Sequence, residues 1–238
     1  MKEITINGTI VSNDDKWIYD WFEVESCCPK DIIKALQDAG EDDVTVLVNS
    51  GGGDLDAGNE IYSALKRYKG KTVAEITGYA ASAATVICCG ADTVRANAGI
   101  QYMIHNVSTW QGGDHRDMET MASVLKAADR SVANVYQQKT GLDEKTILGM
   151  MSTGTGNMGK WMDAKEAKEY GFIDEIIGDN GSLARPISIY NAHGAFIISD
   201  EVKEKIRLEF AGKKSPEFDS QKAQARLNLL KLKGGKVL

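Results

Sequence analysis

Three short motifs carry groups that acyl-transfer chemistry could use. Ser82 lies within 78–84, a run of small residues where a predicted strand turns into a helix. A serine at a helix start has backbone N–H groups nearby, where the helix dipole favours negative charge. His105 ends an apolar strand, and the Gly-rich turn 51–53 joins another strand to a helix. Taken alone, each motif is equally explained by packing, a structural histidine or a tight turn.

Together the three motifs supply the parts of an activated nucleophile. A serine hydroxyl is a poor nucleophile unless a neighbouring base accepts its proton. Of the three histidines, His115 lies in the Asp/Gly-rich stretch 110–117, which reads as an exposed loop, and His193 lies in the carboxyl-terminal extension, so His105 is the best candidate for the base. The Gly-rich turn could direct N–H groups at a phosphate or a tetrahedral oxyanion. No Gly-Lys-Ser/Thr follows it, which argues against a phosphate-binding P-loop.

The motifs lie where strands and helices alternate, which predicts an α/β fold. A long helix follows the His105 strand. Its apolar residues step by three and four: Met118, Met121, Leu125, Ala128, Val132 and Val135. Such a narrow stripe predicts either a helix lying on the domain's own sheet or a protruding helix that pairs with another subunit.

Charge and turn residues divide the chain into two parts. Segment 203–238 holds ten Lys/Arg against four Asp/Glu, although the whole chain has a net charge of −6. The turn-rich stretch 178–186 therefore marks a boundary between a domain at 1–178 and a basic extension at 179–238. Within the extension, Ser199 could cap one helix, and 221–233 reads as a second, short one. The asymmetry predicts either self-docking or an acidic partner for the extension.

Bulk composition excludes several classes of protein. No run of about 20 apolar residues could span a membrane, and the amino-terminal segment reads as a strand and not as a secretory signal, so we expect a cytoplasmic protein. The cysteines form two adjacent pairs, at 27–28 and 88–89, a spacing that predicts reduced, buried thiols. We expect no metal, no cofactor and no nucleic-acid partner.

The order of these motifs resembles that of the Clp protease proteolytic-subunit family over about residues 4–177. That family reads Asn-Ser-Pro-Gly-Gly, Gly-x-Ala-Ala-Ser-Met-Gly, a strand ending Ile-His, Thr-Gly, and Ala-x-x-Ala-x-x-Tyr-Gly-x-x-Asp. The counterparts in this sequence are 49–53, 78–84, Ile104-His105, Thr140-Gly141 and 164–174. Five motifs in the same order form a specific pattern.

The resemblance implies a Clp protease/crotonase-like fold, a spiral of repeated ββα units with a protruding handle helix. It implies Ser82 as nucleophile, His105 as base, and the backbone N–H groups of Gly53 and Ala83 as the oxyanion hole. It also implies polypeptide substrates and a homo-oligomeric ring, with two stacked heptamers as one form. Any ATP dependence would come from a separate ATPase subunit.

Three departures from the family pattern qualify this interpretation. Gly51 replaces the family's proline, a mild change because the turn gains freedom but keeps its N–H donors. Ala83 replaces the family's methionine, which is also mild because the oxyanion hole uses the backbone N–H group at this position. The third is Gly159, which stands where the family has the aspartate that orients the histidine. Asn157 and Asp163 are the nearest polar candidates for that role. Losing an orienting carboxylate can reduce turnover about 10⁴-fold.

Several hypotheses about function therefore stay open. The first is a serine endopeptidase acting through an acyl-enzyme. Its basic extension and Trp161 resemble those of prophage-encoded relatives that mature capsids, so coat or scaffold proteins are candidate substrates. The second is a catalytically impaired homologue that assembles without cutting. The third is an acyl-thioester enzyme of the crotonase type, which shares the spiral and a Gly-rich oxyanion hole.

Overall fold

The computed structural model describes residues 2–178 and 198–210, where strands and helices alternate as expected. The elements are β1 (Lys2–Ile10), α1 (Lys16–Trp21), β2 (Ser26–Cys27), α2 (Pro29–Ala39), β3 (Val44–Gly53), α3 (Leu55–Arg67), β4 (Thr72–Ala81), α4 (Ala83–Cys88), β5 (Thr93–Asn97), β6 (Gln101–Ile104), α5 (His115–Thr140), α6 (Glu144–Met151), β7 (Lys160–Asp163), α7 (Ala164–Glu169), β8 (Glu175–Ile177) and α8 (Asp200–Phe210). The predicted second basic helix and His193 lie outside the described residues.

A mostly parallel sheet forms the centre of the molecule. Its strand order is β2-β1-β3-β4-β5-β8, and off this path β6 pairs with β4 and β7 pairs with β6. The first half of β4 pairs with β5 through Val73–Ile76, whereas its end pairs with β6 through Tyr79–Ala81. Parallel β4 and β6 therefore end side by side, which brings Ser82 and His105 together. The expected α/β fold is confirmed.

The core lies between this sheet and the helices that follow its strands. Strands β1, β3 and β4 bury their apolar side chains mainly on one face, because buried residues alternate along each strand with residues that are mostly half-buried or exposed. Helix α2 begins at Pro29 and ends before Gly40, whose φ is 70°. It buries Ile32 and Leu36 against the sheet, and each such side chain stabilises the fold by about 1.5–3 kcal/mol.

The long helix α5 lies in two environments, whereas its stripe predicted either one or the other. Asp114 and Asp117 form a capping box at its start, and Gly141 ends it in the left-handed conformation. His115 is the exposed first residue of this helix. The prediction that it lies in a loop is therefore wrong. The carboxyl-terminal half buries Val132 and its neighbours in the core. The amino-terminal half leaves apolar side chains exposed: Met118 (40%) and Val124 (53%).

The motif at 164–174, which includes α7, contacts both β5 and α5. Its two alanines, Ala164 and Ala167, are fully buried. The carboxylate of Asp174 accepts a hydrogen bond from Val94 N at 2.7 Å and pairs with Lys139 Nζ at 2.6 Å. Asp174 thus links β5 to the last turn of α5, which explains a carboxylate at this position.

Helix α8 lies beyond the predicted boundary yet packs against the amino-terminal part of the chain. Its Val202 and Ile206 join a second, smaller apolar cluster with residues of α1. The largely buried carboxylate of Asp15 pairs with Lys203 and Arg207. Ser199 precedes the helix as expected, but its hydroxyl makes no hydrogen bond among the described residues. The division at 178/179 stays a prediction, because 179–197 lie outside those residues.

The four cysteines are free and buried, as their spacing predicted. Burial raises the pKa of Cys27 and of Cys89 to about 12. These thiols therefore stay protonated near neutral pH and behave as packing residues.

Candidate active site

Ser82 occupies a sharp turn between β4 and α4. Its φ of 55° and ψ of −126° are unusual for a residue with a side chain. The backbone is fixed on both sides: Ser82 N donates to Met103 O at 2.9 Å, and Ser82 O accepts from Thr85 N and from Thr85 Oγ1. Strain held in place by surrounding contacts is typical of functional turns. The turn presents the hydroxyl at the partly exposed edge of the sheet.

His105 is the first residue after β6, next to the end of β4. Its Nε2 lies 2.8 Å from Ser82 Oγ. That separation is within the range required for a base to accept the hydroxyl proton. The structure thus brings together the two side chains that the motifs singled out, from positions 23 residues apart.

The other ring nitrogen of His105 lacks the partner that a catalytic triad would supply. Nδ1 is buried and has no hydrogen bond among the described residues. Burial lowers the pKa of His105, while the backbone and side chain of Asn157 and the charge of Asp129 act in the opposite direction. Asn157 is therefore near enough to influence the imidazole, although it forms no well-aligned hydrogen bond with Nδ1. Asn157 itself is exposed.

Asp163, the other sequence candidate for orienting His105, lies away from the imidazole. Strands β6 and β7 are antiparallel, with Ile104 opposite Lys160 and Gln101 opposite Asp163. Asp163 is therefore three pairs, or about 10 Å, along the ladder from the His105 end. Its carboxylate instead accepts from Glu166 N at 2.8 Å and caps α7.

Gly159 lies against His105, as the motif alignment implied, but leaves no room for a side chain. A Cβ there would stand 2.2 Å from Ile104 O and 2.5 Å from His105 Cβ. The φ of Gly159 is 67°, a left-handed conformation that favours glycine. The backbone at this position therefore could not carry a carboxylate without moving.

The Gly-rich turn packs directly against the Ser82 turn. A Cβ on Gly52 would lie 2.8 Å from Ser82 Cβ and 2.9 Å from Ala83 N, so only glycine permits this approach. Gly52 N donates to Ser50 Oγ. Gly53 has a φ of 141° and lies two residues before α3, while Ala83 begins α4. The first N–H groups of a helix have no intrahelical acceptor, so Ala83 N–H could bind an oxyanion.

Two contacts that α5 makes near the site were not predicted from the sequence. Asp129 Oδ1 accepts from Val107 N at 2.7 Å, two residues after His105. Tyr136, fully buried, shares a 2.7 Å hydrogen bond with Thr85 Oγ1. The sequence did contain a signal for these contacts. The i, i+3, i+4, i+7 spacing, which places side chains on one face of a helix, is met by residues 129, 132, 133 and 136. The stripe through Ala128 and Val135 pointed to the neighbouring face instead.

Neither a metal cluster nor a membrane-spanning helix accompanies this site in the part of the chain that the structure describes. Residues 2–178 and 198–210 hold no group of three or more His, Cys, Asp or Glu side chains that could bind a metal ion. Within the same ranges, no helix is both long and apolar enough to cross a lipid bilayer.

Comparisons with known proteins identify relatives of this chain. The family model for Clp protease matches residues 23–180. The chain is 28% identical over 152 residues to ATP-dependent Clp protease proteolytic subunit 1 of Streptomyces avermitilis, and 30% identical over 154 residues to subunit 3 of Streptomyces coelicolor. Each alignment covers 63% of this chain and 67% of the relative.

A solved structure shares the fold. A point mutant of ClpP1 from Listeria monocytogenes superposes with a TM-score of 0.60 at 22% identity, covering 76% of this chain and 93% of that one. The family model spans most of the β-sheet and both strand ends that carry Ser82 and His105. The chain belongs to the Clp protease family.

Proposed function

We propose that this chain is a serine endopeptidase subunit that cleaves polypeptides through an acyl-enzyme on Ser82. The observation that carries the proposal is the 2.8 Å contact between Ser82 Oγ and His105 Nε2. Family membership supports it, as do the names of the relatives, which are proteolytic subunits. The same match favours a peptidase over the acyl-thioester hypothesis.

Acylation begins when His105 Nε2 accepts the proton of Ser82 Oγ. The oxygen attacks the carbonyl carbon of the scissile peptide, and the carbonyl oxygen becomes an oxyanion. The N–H groups of Gly53 and Ala83 donate to that oxyanion, and each donor of this kind is worth about 3–4 kcal/mol. The C–N bond then breaks, and the leaving amine takes the proton from the imidazolium.

Deacylation repeats these steps with water as the nucleophile. His105 Nε2 accepts a proton from water, and the resulting hydroxide attacks the acyl carbon. When the tetrahedral intermediate collapses, the ester bond to Ser82 breaks and its oxygen regains the proton. The peptide product leaves as a carboxylic acid, and the enzyme returns to its starting state.

The exposed half of α5 supports assembly into a homo-oligomer. Its apolar side chains face solvent at Met118 and Val124, and such a surface is typical of a helix that pairs with another subunit. We propose a ring, with two stacked heptamers as its complete form. The names of the relatives also support a separate ATPase partner.

A narrower role in capsid maturation rests on the basic segment 203–238 and on Trp161 beside the Ala-x-x-Ala signature. It stays a prediction. Co-expression with phage coat and scaffold proteins would test it, because a maturation protease shortens one of them in a Ser82-dependent way.

The experiment for the main proposal is covalent labelling with a fluorophosphonate probe. We expect one adduct per chain on Ser82, identified by peptide mass spectrometry. Ser82→Ala should abolish labelling, whereas Ser123→Ala should retain it, because Ser123 lies on the exposed part of α5, where its hydroxyl donates to Glu119 O. Labelling that persists in Ser82→Ala, or none in the wild type, would contradict the proposal; the second result would favour a homologue that assembles without cutting.

A further inference from the structure

The segment that carries His105 has few fixed points. Residues 105–112 form no helix or strand. Beyond the contact of Nε2 with Ser82, Asn106 Nδ2 donates to Ser152 Oγ at 3.1 Å on an exposed surface. Val107 N donates to Asp129 Oδ1 at 2.7 Å, and the Val107 side chain packs against the core. The carboxylate of Asp129 is thus the strongest anchor of the backbone just after the base, because charged acceptors form the stronger hydrogen bonds.

Asp129 is carried by a rigid part of α5. One turn further on, Val132 and Ala133 are buried in the core, so the helix cannot shift here without disrupting packing. Asp129 itself is half-buried. No lysine or arginine pairs with it in the described parts of the chain. Its negative charge is therefore not neutralised by a direct partner.

The other charged side chains on the elements next to His105 are exposed to solvent or paired with each other. On α5, Lys126 and Arg130 are exposed to solvent. On β7, Lys160 pairs with Glu166. Burial lowers the pKa of His105, the neutral Asn157 raises it in part, and the charge of Asp129 acts in the same direction as Asn157. The catalytic imidazole therefore has one uncompensated carboxylate near it, which comes from the helix and not from the strand position at Gly159.

We propose that Asp129 is the acidic positioning residue of this site. It holds the segment of the base through Val107 N–H, and its charge stabilises the imidazolium that forms during acylation. It thereby supplies from α5 part of what the absent carboxylate at Gly159 would supply. The inference rests on the proposed function, because it assigns His105 as the base.

The test separates charge from anchoring with two variants of the full chain. Asp129→Asn retains an oxygen that can accept from Val107 N but removes the charge, whereas Asp129→Ala removes both. Glu169→Gln is the matched control, since it removes one carboxylate from the exposed end of α7. The rate of fluorophosphonate labelling at Ser82 is measured for each from about pH 5 to about pH 9, the range in which histidine titrates.

We expect Asp129→Asn to lower the plateau rate about tenfold and to move the acid limb of the profile to lower pH. A structural hydrogen bond alone would not move that limb. Asp129→Ala should lower the plateau about a hundredfold, because the base also loses its position. Glu169→Gln should stay within about twofold of the wild type. An Asp129→Asn profile that coincides with the wild type overturns the proposal.

A second measurement does not depend on catalysis. The titration of His105, followed by NMR with labelled histidine and assigned with a His105→Gln variant, should move to lower pH in Asp129→Asn and stay unchanged in Glu169→Gln. An unmoved titration overturns the role of Asp129. If the wild type is never labelled at Ser82, the proposed function fails, and the NMR result still decides whether Asp129 acts on His105.

Discussion

At the residue scale, the proposed mechanism requires a neutral His105 to accept the proton of Ser82. Burial lowers the pKa of His105, and Asn157 and Asp129 offset only part of that effect. A base works only while it is neutral, and a lowered pKa keeps it neutral to lower pH. We therefore expect the rate of Ser82 acylation to fall with acid only below the ordinary histidine range of about pH 6.5. An acid limb centred above that value in the labelling profile would contradict this interpretation of the site.

The glycine beside His105 allows a second prediction at this scale. Gly159→Asp places a carboxylate at the position where the family has one, yet its Cβ would meet Ile104 O and His105 Cβ. The left-handed backbone adds about 1–2 kcal/mol of strain for a residue with a side chain. We expect Gly159→Asp to lower the labelling rate and the melting temperature, with Gly159→Ala giving a similar loss. Faster labelling in Gly159→Asp than in the wild type would refute the prediction.

At the element scale, α5 contacts the two segments that carry Ser82 and His105. Asp129 contacts the backbone after His105, and Tyr136 contacts Thr85, whose hydroxyl donates to Ser82 O. The nucleophile turn, which has a strained φ, therefore depends on a buried chain of two hydrogen bonds. A helix that reaches both residues could also relay its own position to them.

Thr85→Val tests this chain with little change of shape. It leaves the Tyr136 hydroxyl without its partner in a buried site, which costs about 1–3 kcal/mol, and releases Ser82 O from a side-chain donor. We expect a lower free energy of unfolding by denaturant and a labelling rate reduced several-fold. Tyr62→Phe is the control, since its hydroxyl makes only a 3.5 Å exposed contact. Equal labelling by Thr85→Val and the wild type would argue against the relay.

At the scale of the whole molecule, α8 closes a second apolar cluster on the amino-terminal segment. Burial lowers the pKa of Lys203, but hydrogen bonding and pairing with Asp15 outweigh it and raise the pKa overall, so the ammonium stays charged. Removing Asp15 leaves Lys203 its 3.2 Å contact with the exposed Asp200 and takes one partner from Arg207, and the loss of this largely buried pairing costs up to about 3 kcal/mol. We expect Asp15→Ala to increase hydrogen exchange in α8.

The same variant should leave Ser82 labelling unchanged, because α8 contacts neither catalytic residue among the described contacts. Lys34→Ala is the matched control for a surface ion pair, since Lys34 and Asp38 are both well exposed. Protection of α8 that survives in Asp15→Ala would show that the apolar cluster alone docks the helix.

Local sequence patterns were sufficient to single out Ser82, His105 and the turn at Gly53. Each of them lies at the end of a strand, and the alternation of strands and helices along the chain predicts where those strands end. Contacts between distant elements could not be predicted in this way. Asp129 faces Val107 across 22 residues, and Arg207 meets Asp15 across 192. A single stripe on α5 did not reveal that its two halves lie in different environments. The capping of α7 by Asp163, in contrast, is a local contact with Glu166 N three residues on, and an Asp-x-x-Glu pattern of this kind is typical of a helix start.

The most direct test of the central claim is to trap the acyl-enzyme. The full chain is incubated with an activated peptide ester, quenched in acid and weighed by intact-protein mass spectrometry, alongside Ser82→Ala and His105→Ala. We expect one peptidyl adduct on Ser82 in the wild type, none in Ser82→Ala, and an adduct formed at least about a hundredfold more slowly in His105→Ala. Hydrolysis of the ester by Ser82→Ala at the wild-type rate would contradict the assignment of Ser82 as the nucleophile.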